Sequence, residues 1–295
     1  MKKAILFFAG IFCLSAVSLA YALEWKQLHE EADKKDIKET QAALKNKPQS
    51  IDDMYVLGLV YLNLHKDKEA KDIFHKILAL KPQVYEAKWG VAEVLRRQHN
   101  LKQSEEILED LTKDYPEFSP AYISLAYLRY TQMDFNAAVR LASKVLQQGE
   151  KNVDLSNHVR AHLMLGGAKG MIAHYGGPIS KVVNGTAVLP NLRNAEKLQP
   201  NCAAVKFGLG SFYLLSPALA GGDINKAEEY LTQAIEIDPL FADVYVRLGQ
   251  LYKIKGDQEK YNLYLKKSLE IDPQNQLALD IQSGSCKFIC LGKNK

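Results

Sequence analysis

Cysteine is scarce in this chain, with four in 295 residues, and its placing excludes the common thiol chemistries. Cys286 and Cys290 enclose three residues where redox motifs enclose two, and Leu291 stands where haem attachment calls for histidine. A disulfide, an exposed tail and a link to another chain all remain open for that pair. A surplus of one charge is also missing: 38 Lys and Arg face 34 Asp and Glu, and two of the former, Lys2 and Lys3, stand at the very start. So balanced a chain lacks the basic stripe that displaces counterions from a nucleic acid, and no nucleic-acid partner is expected. Past the N-terminal segment, no run approaches the ~18 apolar residues of a membrane span.

Catalytic constellations are lacking as well. His158 and His162, four apart, could turn both rings to one metal ion. However, Val159 occupies the place of the glutamate that a zinc-protease helix needs, and His174 falls ~120° or more around a regular helix from both. The run from Gly166 to Gly170 has no following Gly-Lys-Ser/Thr and reads as close helix packing, not as a phosphate loop. Acidic residues sit mostly at i, i+4 from lysines, as on solvated helix faces. No catalytic, metal or cofactor residue is therefore expected, and the chain is not expected to be an enzyme.

What is present begins with an N-terminal segment. Lys2 and Lys3 precede an apolar stretch from Ala4 to about Val17, and Ala20-Tyr21-Ala22 supplies the small residues a signal peptidase inspects. Residues 1–22 are expected to be a signal peptide cleaved before Leu23, which exports the chain, in a bacterium to the periplasm. An uncleaved segment would instead anchor the chain in the membrane. Cys13 lies behind Gly10-Ile11-Phe12, which does not fit a lipobox. The mature chain would keep Cys202, Cys286 and Cys290 in an oxidising compartment, an odd number that leaves at least one thiol unpaired within the chain.

Proline is sparse, with ten residues, and their positions form a pattern. Pro48, Pro82 and Pro116 are spaced by 34, and so are Pro239 and Pro273. Other residues recur in phase. Leu57, Gly58, Tyr61, Ala70 and Phe74 precede Pro82, and Leu248, Gly249, Tyr252, Tyr261 and Leu265 precede Pro273. Between them come Val91, Ala92, Leu95, Ser104 and Leu108, then Leu125, Ala126, Ala138, Ala142 and Val145. Small residues let two antiparallel helices approach, large ones fill the gap between stacked pairs, and proline ends the second helix. These residues resemble the tetratricopeptide-repeat family, whose unit has ~34 residues. The resemblance covers about Ile51 to Gln274. It implies an all-α, right-handed α-solenoid of about six helix-turn-helix repeats over 51–274, with an N-terminal helical segment over 23–50 and a C-terminal cap and tail over 275–295.

Two units, at about 154–239, depart from the pattern. One carries ten extra residues around HYGGPISKVVNG and the other five around SPALAGGD. Insertions in repeats map to loops, often on the binding face. The first could instead lengthen the helices, with Pro178 in a first turn and Pro190 as a kink. The second, with Pro217, Gly221, Gly222 and Asp223, also resembles exported bacterial repeat proteins that include the T-component of TRAP-type transporters. That likeness makes the loop a candidate ligand element. The local expectation is that its glycines close one helix and Asp223 caps the next.

Stacked helix pairs wind into a superhelix whose concave face is lined by first helices. The fifth, ninth, twelfth and thirteenth places give Tyr55, Leu59 and Leu62, then Trp89, Glu93, Arg96 and Arg97, then Ile123, Tyr127 and Tyr130, and later Phe207 and Leu214. The Lys and Asn by which chaperone-tail-binding members of the family clamp a carboxylate are replaced by Tyr55 and Leu59. Aromatics with arginines suit a peptide with apolar anchors or a small amphipathic ligand. The expected function is an exported scaffold or adaptor that binds a protein or peptide of the cell envelope in this groove. The alternative is a ligand-binding accessory of an envelope transport system.

Overall fold

A computed structural model of the chain describes residues 24–289. The expected signal peptide at 1–22 and the cysteine at 290 lie outside the described residues. Within them every regular element is helical. Two helices come first, α1 (Trp25–Ala32) and α2 (Ile37–Asn46). Three regular pairs follow: α3 (Ile51–Asn63) with α4 (Asp67–Leu80), α5 (Tyr85–Arg97) with α6 (Leu101–Asp114), and α7 (Ser119–Thr131) with α8 (Phe135–Gln148).

The fourth pair is α9 (Leu155–Tyr175) with α11 (Val188–Leu198), separated by the inserted α10 (Pro178–Gly185). The fifth joins α12 (Ala203–Leu215) to α13 (Ile224–Ile237) through a 3₁₀ turn at Ala218–Ala220, and the sixth is α14 (Ala242–Ile254) with α15 (Gln258–Ile271). Helix α16 (Gln276–Ser283) closes the stack.

Local chemistry explains several of the boundaries. Ser50, Asp134, Asp154, Asp257 and Asn275 each accept a hydrogen bond from a first-turn amide of the helix they precede, which satisfies a donor that the helix leaves unpaired. In the first three pairs the turn between helices passes through His65, His99 and Met133, all in the left-handed region, spaced by the repeat length.

Packing repeats at the same interval. Phe74 of α4 has no exposed surface, and its ring lies against the backbone of α3 at Gly58 and of α5 at Gly90. A Cβ at either glycine would fall within 2.6 Å of the ring, so the small residue sets how closely the helices approach.

The inserted segment does not form a loop. Helix α9 runs on to Tyr175, and α10 then starts with Pro178 at its first turn. Pro190 does not kink a helix as the alternative expected, because it is the third residue of α11, where its missing N–H costs no intrahelical bond. Gly166 lets α9 and α11 approach, since a Cβ there would meet Leu192 at 3.0 Å.

The stack turns far enough to meet itself. His65, in the first turn, bonds Asp238 after α13, and His99, in the second, bonds Asp272 after α15, both at 3.0 Å. Met133, in the third, packs in a cluster with Leu265, Leu269 and Leu277. Three successive turns of the N-terminal repeats thus lie along the C-terminal ones, the first at the junction after α13 and the other two at α15 and α16, and the first helices face an interior groove.

Candidate functional site

The groove has a volume of about 2170 Å³ and is walled by α5, α7, α9, α12 and α14. Of the residues singled out by repeat phase, Leu62, Glu93, Arg96, Arg97, Ile123, Tyr127, Tyr130, Phe207 and Leu214 line it. Tyr55, Leu59 and Trp89 do not. Helix α1 lies inside the superhelix instead of stacking at its end, and it covers them. Its His29 Nε2 pairs with the Tyr55 hydroxyl at 2.9 Å, the His29 ring lies 5.3 Å from Trp89, and Trp25 meets Phe118 edge-on. Lys26 reaches the carbonyls of Glu150 and Lys151, and Ser156 donates to Asp33, which ties α1 to the start of α9. Tyr55 and Trp89 are accordingly core residues, 0% and 3% exposed.

The charged part of the wall is tightly paired. Glu93 accepts from Arg96 at 3.0 and 2.7 Å, from Arg97 at 3.4 Å and from the Ser124 hydroxyl at 2.9 Å. Trp89 in turn donates to Ser124. Burial by itself would raise the Glu93 carboxyl; the charge and hydrogen bonds of Arg96, then Arg97, outweigh it and hold the group well below the usual carboxylate range. Arg97 also donates to the Leu62 carbonyl at 2.7 Å and to Asp67 at 3.2 Å. Arg96 lies 4.3 Å over the ring of Tyr127, which is 38% exposed to the groove. The two arginines therefore anchor an aromatic platform and carry an internal counter-ion.

Across the groove, burial pushes the Asp243 carboxyl up, against a hydrogen bond from Asn275 and the charge of Arg247. Burial likewise raises the Tyr130 hydroxyl to about 12.

Both irregular units face this space. Lys181 and Val182 of α10 line the rim, as do Pro217, Leu219, Gly222 and Asp223 of the other insertion. In that insertion Gly221 has φ of +95° and ends the 3₁₀ turn. A Cβ on Gly222 would fall 2.0 Å from the Ser216 carbonyl oxygen, so only glycine fits there. Asp223 accepts from the amides of Asn225 and Lys226 and caps α13. Gly221, Gly222 and Asp223 thus have a structural task, and Pro217, Gly222 and Asp223 border the groove. His158 and His162 stack edge-on at 5.3 Å, with His162 against Asn191.

Two features of the wall have no counterpart in the residues chosen by phase. Arg247 and Gln250 of α14 are 5% and 2% exposed and point to the groove, where the segment after α16 lies against them. Gln250 holds the ninth place of its repeat, so carrying the phase into the sixth unit would have found it. Arg247 holds the sixth place, which the phase does not assign to the groove. Cys286, in that last segment, is disulfide-bonded, and Cys202 has a free thiol.

The wall offers aromatic faces, fixed guanidinium groups and amides. Two sequence models described as tetratricopeptide repeat match the chain, one over residues 65–126 and the other over 219–239 and 242–275. No curated protein sequence matches it. Among solved structures, the chain is similar to one in the APC/C hetero-tetramer Cut9-Hcn1, at 17% identity and a TM-score of 0.56. That likeness covers 88% of this chain and 47% of the other, so this chain spans less than half its length. A tetratricopeptide repeat protein from Parabacteroides merdae is similar at 16% identity and a TM-score of 0.50, over 87% of this chain and 98% of that one. At such identities the likeness is one of fold.

Proposed function

We propose that this chain, which carries tetratricopeptide repeats, is an exported protein-interaction scaffold that holds a segment of a cell-envelope partner in its interior groove. The observation that supports this most is the groove wall itself. Tyr127 presents an aromatic face backed by Arg96, amid partly exposed apolar side chains and charges already neutralised from within. Such a surface gains from covering an aromatic anchor without having to unpair a buried charge. Export is supported by the N-terminal segment, and the disulfide at Cys286 fits an oxidising compartment.

One preparation tests both parts. The tagged full-length protein is isolated from the envelope fraction, its intact mass is measured, and its co-purifying proteins are quantified beside those of Tyr127→Ser. The expected mass starts at Leu23, and the partner should fall by about tenfold or more in the variant, as for loss of an aromatic anchor. A cytosolic protein that retains residue 1 would contradict export, and an unchanged partner would contradict the groove.

A second reading has its own support. Both insertions sit on the groove rim and expose Val182 and Leu219 beside it, which suits a ligand-binding accessory of an envelope transport system. Native mass spectrometry separates the two: a bound small molecule favours the accessory, and a ligand-free mass favours the scaffold.

A further inference from the structure

The chain's own last described residues lie in the groove as a peptide would. Beyond α16 the backbone turns through Gly284 and Cys286, both in the left-handed region, and enters the space between α7, α9 and α14. Phe288 is 8% exposed and stacks on Tyr130 with centroids 5.8 Å apart, in a cluster that includes Phe135 and Met171. The main chain around it is held by side chains of the wall. Tyr175 donates to the Lys287 carbonyl at 2.7 Å. Arg247 donates to the Phe288 carbonyl at 3.2 Å and to that of Ile289 at 3.4 Å, and Gln250 donates to Ile289 at 3.1 Å. Asp280 accepts from the amides of Lys287 and Phe288, both at 2.8 Å.

Arg247 makes this arrangement informative. Its guanidinium is buried, has no carboxylate in ion-pair contact among the described residues, and leaves its Nε without an acceptor. A buried guanidinium is costly unless its five donors are met. Besides Gln250 Oε1 at 2.7 Å, the acceptors it finds are main-chain carbonyls of the tail. A wall that places Arg247 and Gln250 here needs an occupant rich in carbonyl oxygens, which is what the main chain of a peptide supplies.

Resting on the peptide-groove reading above, we infer that Arg247, Gln250, Tyr175 and Tyr130 form a peptide site filled in cis by residues 287–289. A partner segment with an aromatic residue followed by an aliphatic one enters that site by displacing the tail. The four residues come from three helices far apart in sequence, and together they read main-chain carbonyls and a single aromatic side chain. That combination selects for a turned backbone that presents successive carbonyls beside one ring, as residues 286–289 do, with Cys286 and Ile289 both in the left-handed region.

The test uses the full-length protein and a fluorescein-labelled synthetic peptide copying residues 283–292, with serine at both cysteine positions, read by fluorescence anisotropy. Phe288→Ala in the protein weakens the cis occupant. The peptide should then bind at least about tenfold more tightly than to the unaltered protein, because the competent fraction of the site rises. Adding Arg247→Met should cancel the gain, and a peptide carrying F288A should not bind either protein. Ile289→Ala, which trims the tail's other apolar side chain in the same cluster and leaves the wall intact, should give a smaller gain of the same sign and serves if Phe288→Ala loses helicity by circular dichroism. Equal affinity for the unaltered protein and both variants would overturn the inference. If the peptide fails while Tyr127→Ser still releases the envelope partner, the tail inference falls and the groove reading stands. If the peptide behaves as expected while the partner persists in Tyr127→Ser, the groove reading falls.

Discussion

Replacing Phe74 by alanine is expected to destabilise the protein by about 3–5 kcal/mol, the range for a fully buried phenylalanine cut to a methyl group. The upper part of that range applies because the site is poorly able to collapse. The ring lies between the backbones of α3 and α5 at Gly58 and Gly90, with Tyr55 at 5.9 Å, so the atoms that would fill the void belong to helices fixed elsewhere. Phe74 also joins two repeats. In a solenoid each unit is stabilised mainly through its neighbours, and the loss weakens both the first repeat and its interface with the second. Urea denaturation followed by circular dichroism measures the effect. A midpoint equal to that of the unaltered protein would show that the ring is not the wedge between these repeats.

Replacing Glu93 by alanine is expected to cost about 3 kcal/mol, the lower end of the range for breaking a buried ion pair, since 17% and 21% of the Arg96 and Arg97 side chains stay solvated. Two guanidinium groups lose their common acceptor, Ser124 loses its partner, and the support of Tyr127 loosens.

The same pair sets an acid dependence whose sign follows from the carboxyl's direction of shift. The folded value lies below the unfolded one, about 4.3, so the folded state binds fewer protons. The contribution is complete above roughly pH 5 and is lost as the pH falls through 4 and below. Unfolding free energies at stepped pH should therefore decline more steeply for the unaltered protein than for Glu93→Gln, which has no carboxyl there to protonate. Parallel curves would mean that Glu93 does not carry the acid sensitivity.

The repeat was legible because each unit makes its closest contacts with itself and its neighbour, so the same small, large and proline residues return at one interval. Gly58, Phe74 and Pro82 carry that local geometry in their order along the chain. What crosses the groove was not legible. Tyr55 and Trp89 occupy groove places in the phase, yet α1 covers them, and no periodicity states that a preceding helix folds inward. Similarly, His65 and His99 share a spacing with Asp238 and Asp272, but which turn meets which junction depends on the pitch of the whole stack. A helix running unbroken on from Pro178 would hold Pro190 in its interior, but an intervening turn places it in a first turn. Arg247 gave no signal at all, since its role depends on a tail that returns from beyond the last repeat.

The most direct test of the central claim is site-specific photo-cross-linking in living cells, with the cross-linking amino acid placed at Tyr127 inside the groove or at Leu263, 61% exposed on the second helix of the last repeat. A scaffold that works through its groove gives a defined protein adduct from position 127 and none from 263. Adducts at 263 with none at 127 would place the partner on the outside of the solenoid and contradict the account.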